Sequence, residues 1–249
     1  MNSLTVRGLV LGSGLPKICV PLTPQNDREL VFELEALTET PYDLLEWRLD
    51  FLDKGTDYRE LYAMIRKKTP DTPLIATFRS LEEGGQRSLS DADYIQLYRQ
   101  FLDLGTDLID VEWRRGPCVL PALLKEAHAH GAYVIASNHD FDKTPSREEI
   151  LRRLLNMQEL GADLLKIAVM PQSAQDVLTL LCATEEMNRL YAKRPLITMS
   201  MGRLGSFSRI CGALTGSCIT FGTAARSSAP GQISADGLGQ ILKLLDFDQ

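Results

Sequence analysis

The sequence predicts an α/β protein, a (β/α)₈ TIM barrel with a short N-terminal β-hairpin that closes the bottom. Two observations carry this prediction. Short apolar strands alternate with amphipathic helices eight times along the 249 residues, and no linker or change in composition interrupts them. Each parallel strand needs a crossover helix, and eight such units close a sheet on itself. We therefore expect residues 1–249 to form a single barrel domain.

The elements follow one another in a regular order. Residues 4–11, which contain Gly8 and precede Gly12, predict the hairpin. Eight apolar runs predict parallel strands at 17–22, 43–49, 73–78, 107–113, 132–138, 163–169, 195–200 and 217–222. The amphipathic segments between and after them predict helices at about 27–39, 57–68, 91–104, 118–130, 146–160, 173–191, 204–214 and 235–245. A doubly wound open sheet is the competing fold, but the first strand runs into PLTPQND and not into a glycine-rich phosphate turn.

Composition excludes several classes of function. The formal charge of −6 argues against a nucleic-acid-binding surface. No run of about 18 apolar residues is present, and the first residues lack the basic start and long apolar block of a secretory signal. The five cysteines form no C-x-x-C pair and only three histidines are present. We therefore expect reduced thiols, a cytoplasmic protein, no membrane contact and no transition-metal cluster.

One lysine lies in the middle of the sixth barrel strand. Lys166 interrupts the apolar run of residues 163–169, and an unpaired ammonium inside such a strand is costly. Burial favours the uncharged amine, which is a nucleophile toward carbonyl groups. The alternative is that Lys166 pairs with a buried carboxylate or reaches water at the strand end.

A histidine follows the neighbouring strand. His139 comes directly after the predicted fifth strand and can carry a proton in either direction near neutral pH. Strands five and six are adjacent in a sequential barrel, so His139 and Lys166 converge at the same mouth. An amine nucleophile beside a proton carrier indicates imine chemistry on a ketone or aldehyde. Taken alone, His139 could also be a loop histidine bonded to Asp140.

Other polar residues collect at the same ends of the strands. Glu46 and Arg48 share one face of the second strand, where they form either an ion pair with each other or a substrate contact. Arg79 ends the third strand. Glu83 follows it beside two glycines, in a lid element or a solvated turn.

The fourth strand and the last third of the chain add further candidates. Asp110 and Glu112 share one face of the fourth strand, as neighbours of Lys166 or as a structural pair. Arg209 follows the seventh strand and can bind an anion, while Ser228 and Gln232 lie in a Pro-Gly loop after the eighth strand, where a purely structural role is also natural.

The order and spacing of these residues resemble the type I 3-dehydroquinate dehydratases over nearly the whole chain. The motifs that carry the resemblance are EWR (46–48), TFRSLEEGG (77–85), SNHDF (137–141), KIAVMP (166–171), SMG (200–202) and SSAPGQ (227–232). The resemblance implies a homodimeric (β/α)₈ barrel that uses no cofactor and no metal. It also implies dehydration of 3-dehydroquinate to 3-dehydroshikimate, in the shikimate pathway of aromatic amino-acid biosynthesis.

The resemblance further implies a role for each matched residue. Lys166 would form an imine with the substrate ketone, His139 would be the general acid/base, and Glu83 would orient or tune His139. Arg209 would bind the substrate carboxylate with help from Ser228 and Gln232, while ring hydroxyls would contact Glu46, Arg48 and Arg79. Two other functions stay open: a class I aldolase-like barrel with an imine-forming lysine, and a non-catalytic carboxylate-binding sensor.

Overall fold

The computed structural model describes residues 3–224 and 228–246, and their strands curl into a parallel barrel. An antiparallel hairpin of β1 and β2 comes first, and the barrel strands β3 to β10 follow in sequential order, with the short β11 beside β10. The strands are β1 Leu4–Val6, β2 Leu9–Leu11, β3 Lys17–Leu22, β4 Leu44–Arg48, β5 Leu74–Thr77, β6 Leu108–Glu112, β7 Tyr133–Asp140, β8 Leu164–Val169, β9 Leu196–Ser200, β10 Ile219–Thr223 and β11 Ile233–Ser234. The predicted fold class is confirmed.

Helices cover the outside of this barrel. They are α1 Asp27–Ala36, α2 Tyr58–Lys68, α3 Asp91–Asp103, α4 Val119–Ala129, α5 Arg147–Glu159, α6 Ala174–Glu186, α7 Gly212–Thr215 and α8 Ala235–Leu244. Side-chain caps fix several of their starts. Ser90 accepts a hydrogen bond from Asp93 N, and Ser173 forms a reciprocal capping box with Asp176. Within the described residues, no helix is long and apolar enough to cross a bilayer.

Alternation along the strands separates two apolar cores. One core lies between the outer faces of the strands and the helices. The other fills the barrel and includes Leu44, Ile75, Leu108 and Ile135. The hairpin seals the lower end of this inner core with Val6 and Leu11, which are 3% and 0% exposed. The polar residues on the inward faces lie above the inner core, at the carboxyl ends of the strands.

The barrel closes through a short seam between β9 and β10. Cys218 N donates to Leu196 O over 2.7 Å, next to a single parallel bridge between Leu196 and Ser217. The Ser217 hydroxyl accepts from Thr198 N at 2.9 Å and so takes the place of a backbone carbonyl in the ladder. Side-chain oxygen thus satisfies a backbone donor that the short pairing leaves without a carbonyl.

Three details differ from the sequence-based prediction. The predicted helix at 204–214 is a 3₁₀ segment, Leu204–Arg209, followed by the four-residue α7, since Gly205 and Gly212 weaken helix formation. The predicted helix at 173–191 ends as α-helix at Glu186 and continues as a π segment, Met187–Tyr191. Finally, β7 extends to Asp140, so His139 lies within the strand and is fixed by pairing with β8.

Candidate active site

A pocket opens at the carboxyl ends of the barrel strands. It encloses about 480 Å³ of empty space that is partly open to solvent, a size that suits a small molecule. It is lined by Glu46, Arg48, Arg79, Glu83, Gly84, His139, Phe141, Lys166, Ala168, Met199, Met201, Phe221, Ser228, Ala229 and Gln232. Of the nine residues to which the family resemblance gives a role, eight are in this lining and Arg209 is not.

Lys166 points into the barrel and ends at the base of this pocket. The residue is 3% exposed. Its Nζ donates to Asp110 Oδ2 at 2.8 Å and to Glu46 Oε1 at 3.3 Å, and it lies 4.6 Å from the centre of the Phe221 ring. Lys166 thus has the features of both sequence-based interpretations. It pairs with buried carboxylates, as the structural interpretation expects, and it lines the pocket, as a nucleophile toward a carbonyl group must.

Asp110 is the main carboxylate partner of this lysine, although a structural role is the stronger interpretation from the sequence alone. It also accepts from Arg79 Nη2 at 2.6 Å and from the Ser137 hydroxyl at 2.5 Å. Burial disfavours its charge, but the Arg79 and Lys166 cations outweigh this and hold the pKa of Asp110 well below its usual range. Asp110 is thus a fixed negative charge beside the lysine nitrogen.

The Arg79 guanidinium links several of the buried acids. Besides Asp110, its Nη1 lies 3.3 Å from Glu112 Oε1 and 3.5 Å from Glu83 Oε2. Burial opposes its charge, but these carboxylates together raise the pKa of Arg79 well above its usual range. A buried cation surrounded by acids is a rigid element of the wall.

Glu83 and His139 form a directly bonded pair on the pocket wall. Glu83 Oε2 accepts from the His139 backbone N at 3.0 Å and lies 2.8 Å from its Nδ1, and Oε1 accepts from Asn138 Nδ2 at 3.1 Å. Gly84 has a left-handed backbone (φ 84°) and no side chain, so the Phe141 ring lies against it, where a Cβ would come within 2.3 Å of the ring. This close packing holds the Glu83 turn against the strand that carries His139.

Electrostatics determine the protonation of this pair. Burial raises the pKa of Glu83 to about 7, against the opposing effect of Arg79. Burial, with the nearby cations of Arg79 and Lys166, lowers the pKa of His139 well below its usual range. The neutral imidazole therefore gives its Nδ1 proton to the hydrogen bond with Glu83, which leaves Nε2 able to accept a proton.

Arg48 does not form an ion pair with Glu46, which was one of the two interpretations of their shared face. It binds Asp50 through two parallel hydrogen bonds of 2.8 Å each, and its Nη1 donates to Ser228 O at 3.4 Å. Glu46 instead accepts from Lys166 and from the Thr77 hydroxyl. The two side chains share a face, as expected, but each has a different partner because Asp50 lies in a turn whose position the strand pattern does not give.

Arg209 lies behind the pocket wall and is 2% exposed. Its Nη2 donates to Pro230 O at 3.2 Å and its Nη1 to Phe221 O at 3.5 Å. Within the described residues its Nε has no hydrogen-bond partner and no carboxylate pairs with it. Burial lowers its pKa to about 10, so the guanidinium is still a cation at neutral pH.

The loop with Ser228 and Gln232 is bonded to itself above this arginine. Ser228 N donates to Gln232 Oε1 at 2.9 Å, and Gln232 Nε2 donates to the Ser228 hydroxyl at 3.0 Å. Gly202 N donates to Pro230 O at 3.1 Å and attaches the loop to the end of β9. Both side chains also line the pocket, as predicted.

The apolar part of the lining was missed from the sequence. Phe141, Met199, Met201 and Phe221 form it with Ala168. On strands, such residues look the same whether they face the core or a ligand, and only the alternation that puts 166 and 168 on one face gave a hint. Among the described residues, no group of three His, Cys, Asp or Glu side chains is placed to hold a metal ion.

The fold and this pocket define a barrel enzyme with a buried lysine at its active mouth. Residues 18–248 match the profile of the type I 3-dehydroquinase family. The chain is 49% identical to the 3-dehydroquinate dehydratase of Syntrophotalea carbinolica, over 98% of each chain, and 47% identical to that of Clostridioides difficile, over 98% of this chain and 97% of the relative. The chain belongs to the type I 3-dehydroquinase family.

Solved structures agree with this assignment. A type I 3-dehydroquinate dehydratase from Clostridium difficile, with covalently modified comenic acid, superposes with a TM-score of 0.95 at 45% identity, over 100% of both chains. The 3-hexulose-6-phosphate synthase of Salmonella typhimurium, at 18% identity and a TM-score of 0.59, shares only the fold. The predicted family and the predicted dehydratase activity are confirmed, and the aldolase-like and sensor alternatives are not supported.

Proposed function

We propose that this pocket dehydrates 3-dehydroquinate to 3-dehydroshikimate, with Lys166 as the residue that forms the imine. The observation that carries the proposal is the position of Lys166 Nζ. It is buried at the base of the pocket, between the Glu46 and Asp110 carboxylates, and the Glu83–His139 pair lines the same pocket. Only the uncharged amine adds to a carbonyl group, and the two carboxylates are the hydrogen-bond acceptors at that nitrogen.

The imine solves the chemical difficulty of the reaction. Lys166 Nζ adds to the ketone carbon and water leaves, giving a protonated imine that withdraws electrons from the neighbouring carbon. His139 Nε2 removes the proton from that carbon and an enamine forms. The enamine electrons then expel the hydroxyl group, which takes a proton from the same histidine and departs as water. A second water hydrolyses the imine, so one molecule of water is lost overall.

Glu83 supports both states of His139. As an acceptor at Nδ1 over 2.8 Å, the carboxylate fixes the tautomer and stabilises the imidazolium that follows proton abstraction. The backbone N of His139 binds the same oxygen, so the ring and the carboxylate keep their relative positions. Glu83 thus tunes and orients the general base.

Polar groups in the pocket wall and directly behind it bind the rest of the substrate. Arg209 is a buried cation without a carboxylate partner among the described residues, so it is the group that the substrate carboxylate would neutralise. Ser228 and Gln232 assist from the loop above it. Glu46, Arg48 and Arg79, which also line the pocket, contact ring hydroxyl groups. This binding needs no cofactor.

Three properties of the whole protein belong to the same proposal. Residues 1–249 act as one domain, the active form is a homodimer, and the location is the cytoplasm. The location is supported by the five cysteines, which are all free thiols. The dimer is supported by a surface next to α6, where Leu204, Phe207 and Leu214 are 45%, 69% and 74% exposed.

Replacing the histidine tests the division of roles. In His139→Ala the imine should still form, while kcat falls by about 10²–10⁴-fold because proton transfer is lost. Single-turnover mass spectrometry after borohydride reduction measures the imine, and absorbance of the conjugated enone measures elimination. His130→Ala, a change at an exposed helix end, is the control. Near-normal turnover in His139→Ala would remove the residue from its proposed role.

A further inference from the structure

Behind the Glu83–His139 pair lies a chain of buried polar side chains that the mechanism does not use. Asn138 on β7 is 2% exposed and Arg153 on α5 is 5% exposed. Neither lines the pocket. Arg153 Nη1 donates to Asn138 Oδ1 at 2.8 Å, and Asn138 Nδ2 donates to Glu83 Oε1 at 3.1 Å. Helix α5 is thus joined to Glu83 through a single amide group.

The arginine determines which way this amide points. A guanidinium can only donate hydrogen bonds, so the Asn138 oxygen must face Arg153 and its NH₂ group must face Glu83. Arg153 is itself held by Glu149 Oε1 at 2.7 Å and lies 3.7 Å from Asp140 Oδ2. An asparagine between two partners that can each donate or accept a hydrogen bond could rotate its amide group by 180°. This one cannot do so while Arg153 is in place.

The orientation matters because of what a turned amide would do to Glu83. If the amide turned over, the Asn138 oxygen would face the Glu83 carboxylate in place of the NH₂ group. The carboxylate would lose a hydrogen-bond donor and would face the lone pairs of another oxygen. Glu83 would then favour its protonated form, and a protonated Glu83 is a poorer acceptor for the His139 Nδ1 proton. Loss of Arg153 would therefore weaken His139 as a general base, although Arg153 contacts neither His139 nor the pocket.

The other charged groups near Glu83 do not supply a second hydrogen bond to its Oε1. Those that face its carboxylate are Arg79, Asp110, Glu112 and His139. Arg79 is the only cation among them, at 3.5 Å, and its closer contacts are to Asp110 and Glu112. The Asn138 amide is therefore the only donor to Oε1 among the described residues.

We propose that Arg153 is a positioning residue of the dehydratase: by holding the Asn138 amide in one orientation, it keeps the Glu83 carboxylate ready to support His139. The inference rests on the roles proposed above for Glu83 and His139.

The test compares two neighbouring arginines that bind the same acid. Arg153→Met removes the donor to Asn138. Arg152→Met is the matched control, since Arg152 also binds Glu149 but its side chain is 60% exposed. In Arg153→Met we expect the acid limb of the kcat–pH profile to move up by about one pH unit, the equivalent of one lost charge-assisted hydrogen bond, and kcat at pH 7 to fall about fivefold as a result. Borohydride trapping at Lys166 should be retained, and Arg152→Met should match the wild type.

A double-mutant cycle separates positioning from a merely structural role. Because Arg153 acts through Asn138, Arg153→Met should change the pH profile no further in an Asn138→Ala background. Arg153→Lys, which can still donate to the amide oxygen, should recover most of the activity. If Arg153→Met fails to fold, the Asn138→Ala profile and the comparison of Arg153→Lys in both backgrounds test the same link.

The possible outcomes distinguish this inference from the proposed function. An unshifted acid limb in Arg153→Met, or an equal further loss in the Asn138→Ala background, would overturn the role of Arg153. Glu83→Gln is measured beside them. If Glu83→Gln has the wild-type pH profile, the role of Glu83 falls; if it changes the profile while Arg153→Met does not, only the role of Arg153 falls.

Discussion

Glu83 is an acidic residue of the active site whose buried surroundings disfavour its charged form. The residue is 7% exposed and is surrounded by other buried acids as well as by Arg79. Burial disfavours its carboxylate form, while the hydrogen bonds from Asn138 and His139 favour it. The balance gives a pKa of about 7. Catalysis near neutral pH therefore depends on a charge that destabilises the folded protein.

Glu83→Gln should reveal this cost as a pH-dependent difference in stability. The pKa of about 7 in the folded state lies above the value of about 4.3 for an unfolded glutamate. The folded protein therefore binds this proton more tightly, and the resulting stability is present below about pH 4.3 and is lost as the pH rises through 7. The free energy of unfolding of the wild type, relative to Glu83→Gln, should fall by roughly 3 kcal/mol between pH 4.5 and pH 8.

Urea unfolding at several pH values measures this difference. Glu82→Gln, a change at the exposed neighbour, is the control and should show no such fall. A constant difference between the wild type and Glu83→Gln across this pH range would mean that folding does not raise the pKa of Glu83.

Single residues were predictable to the extent that their type was unusual for their position. A lysine in an apolar strand stands out, and so does a histidine at the end of the neighbouring strand that precedes it. Asp110 was left with a structural role as the stronger interpretation, because an acid on the inward face of a strand reads the same whether it binds a lysine or a structural arginine. The contact between Glu83 and His139 joins residues 56 positions apart, so no local pattern could show it, and only the family resemblance did.

At the scale of elements, the loop after β10 connects the rim of the pocket to the buried arginine. Pro230 O accepts from Arg209 Nη2 and also from Gly202 N. Gly231 next to it has a φ of 73°, and a Cβ there would lie 2.1 Å from Gly202 O. The loop can take this position only with glycine at 231.

Gly231→Ala should therefore weaken substrate binding. The methyl group forces the loop away from β9, which displaces the carbonyl that holds Arg209, and we expect KM for 3-dehydroquinate to rise about tenfold or more. Steady-state kinetics measure the change. Gly14→Ala is the matched control, since Gly14 has a φ of 66° but open space around its Cβ position. An unchanged KM in Gly231→Ala would contradict the role of the loop.

The elements themselves were largely predictable, and the exceptions have physical causes. Hydrophobic periodicity located the eight barrel strands because each is covered on both faces. The periodicity was misleading at 204–214, where glycines weaken a regular helix. There the Ser208 hydroxyl accepts a hydrogen bond from Ser200 N and attaches the segment to the end of β9. The periodicity also ended β7 too early, since His139 and Asp140 are polar residues whose backbone still pairs with β8.

At the scale of the whole molecule, fold and family could be predicted from the sequence, but a contact surface could not. Exposed apolar residues on short irregular segments give no periodic signal. Phe207 lies in the 3₁₀ segment and Leu214 in α7, and the structure places both on the surface next to α6. A second copy of the chain would remove such side chains from water.

Phe207→Asp should dissociate the proposed homodimer. The wild type should sediment at about twice the chain mass of 27.7 kDa. The variant should shift toward that mass, because a carboxylate in an apolar interface is desolvated without a partner. Phe32→Asp, at a 57% exposed phenylalanine on α1, is the control and should stay dimeric. A monomeric wild type, or a Phe207→Asp variant as dimeric as the wild type, would contradict this assignment of the surface.

The most direct test of the account is chemical capture of the bond between Lys166 and the substrate. The enzyme is incubated with 3-dehydroquinate and sodium borohydride, digested, and mapped by mass spectrometry, with Lys166→Met as the control. The account predicts that one peptide, the one that contains Lys166, gains the mass of the reduced ring adduct, and that Lys166→Met gains none. Full turnover without any adduct at Lys166, or an adduct on another lysine, would contradict it.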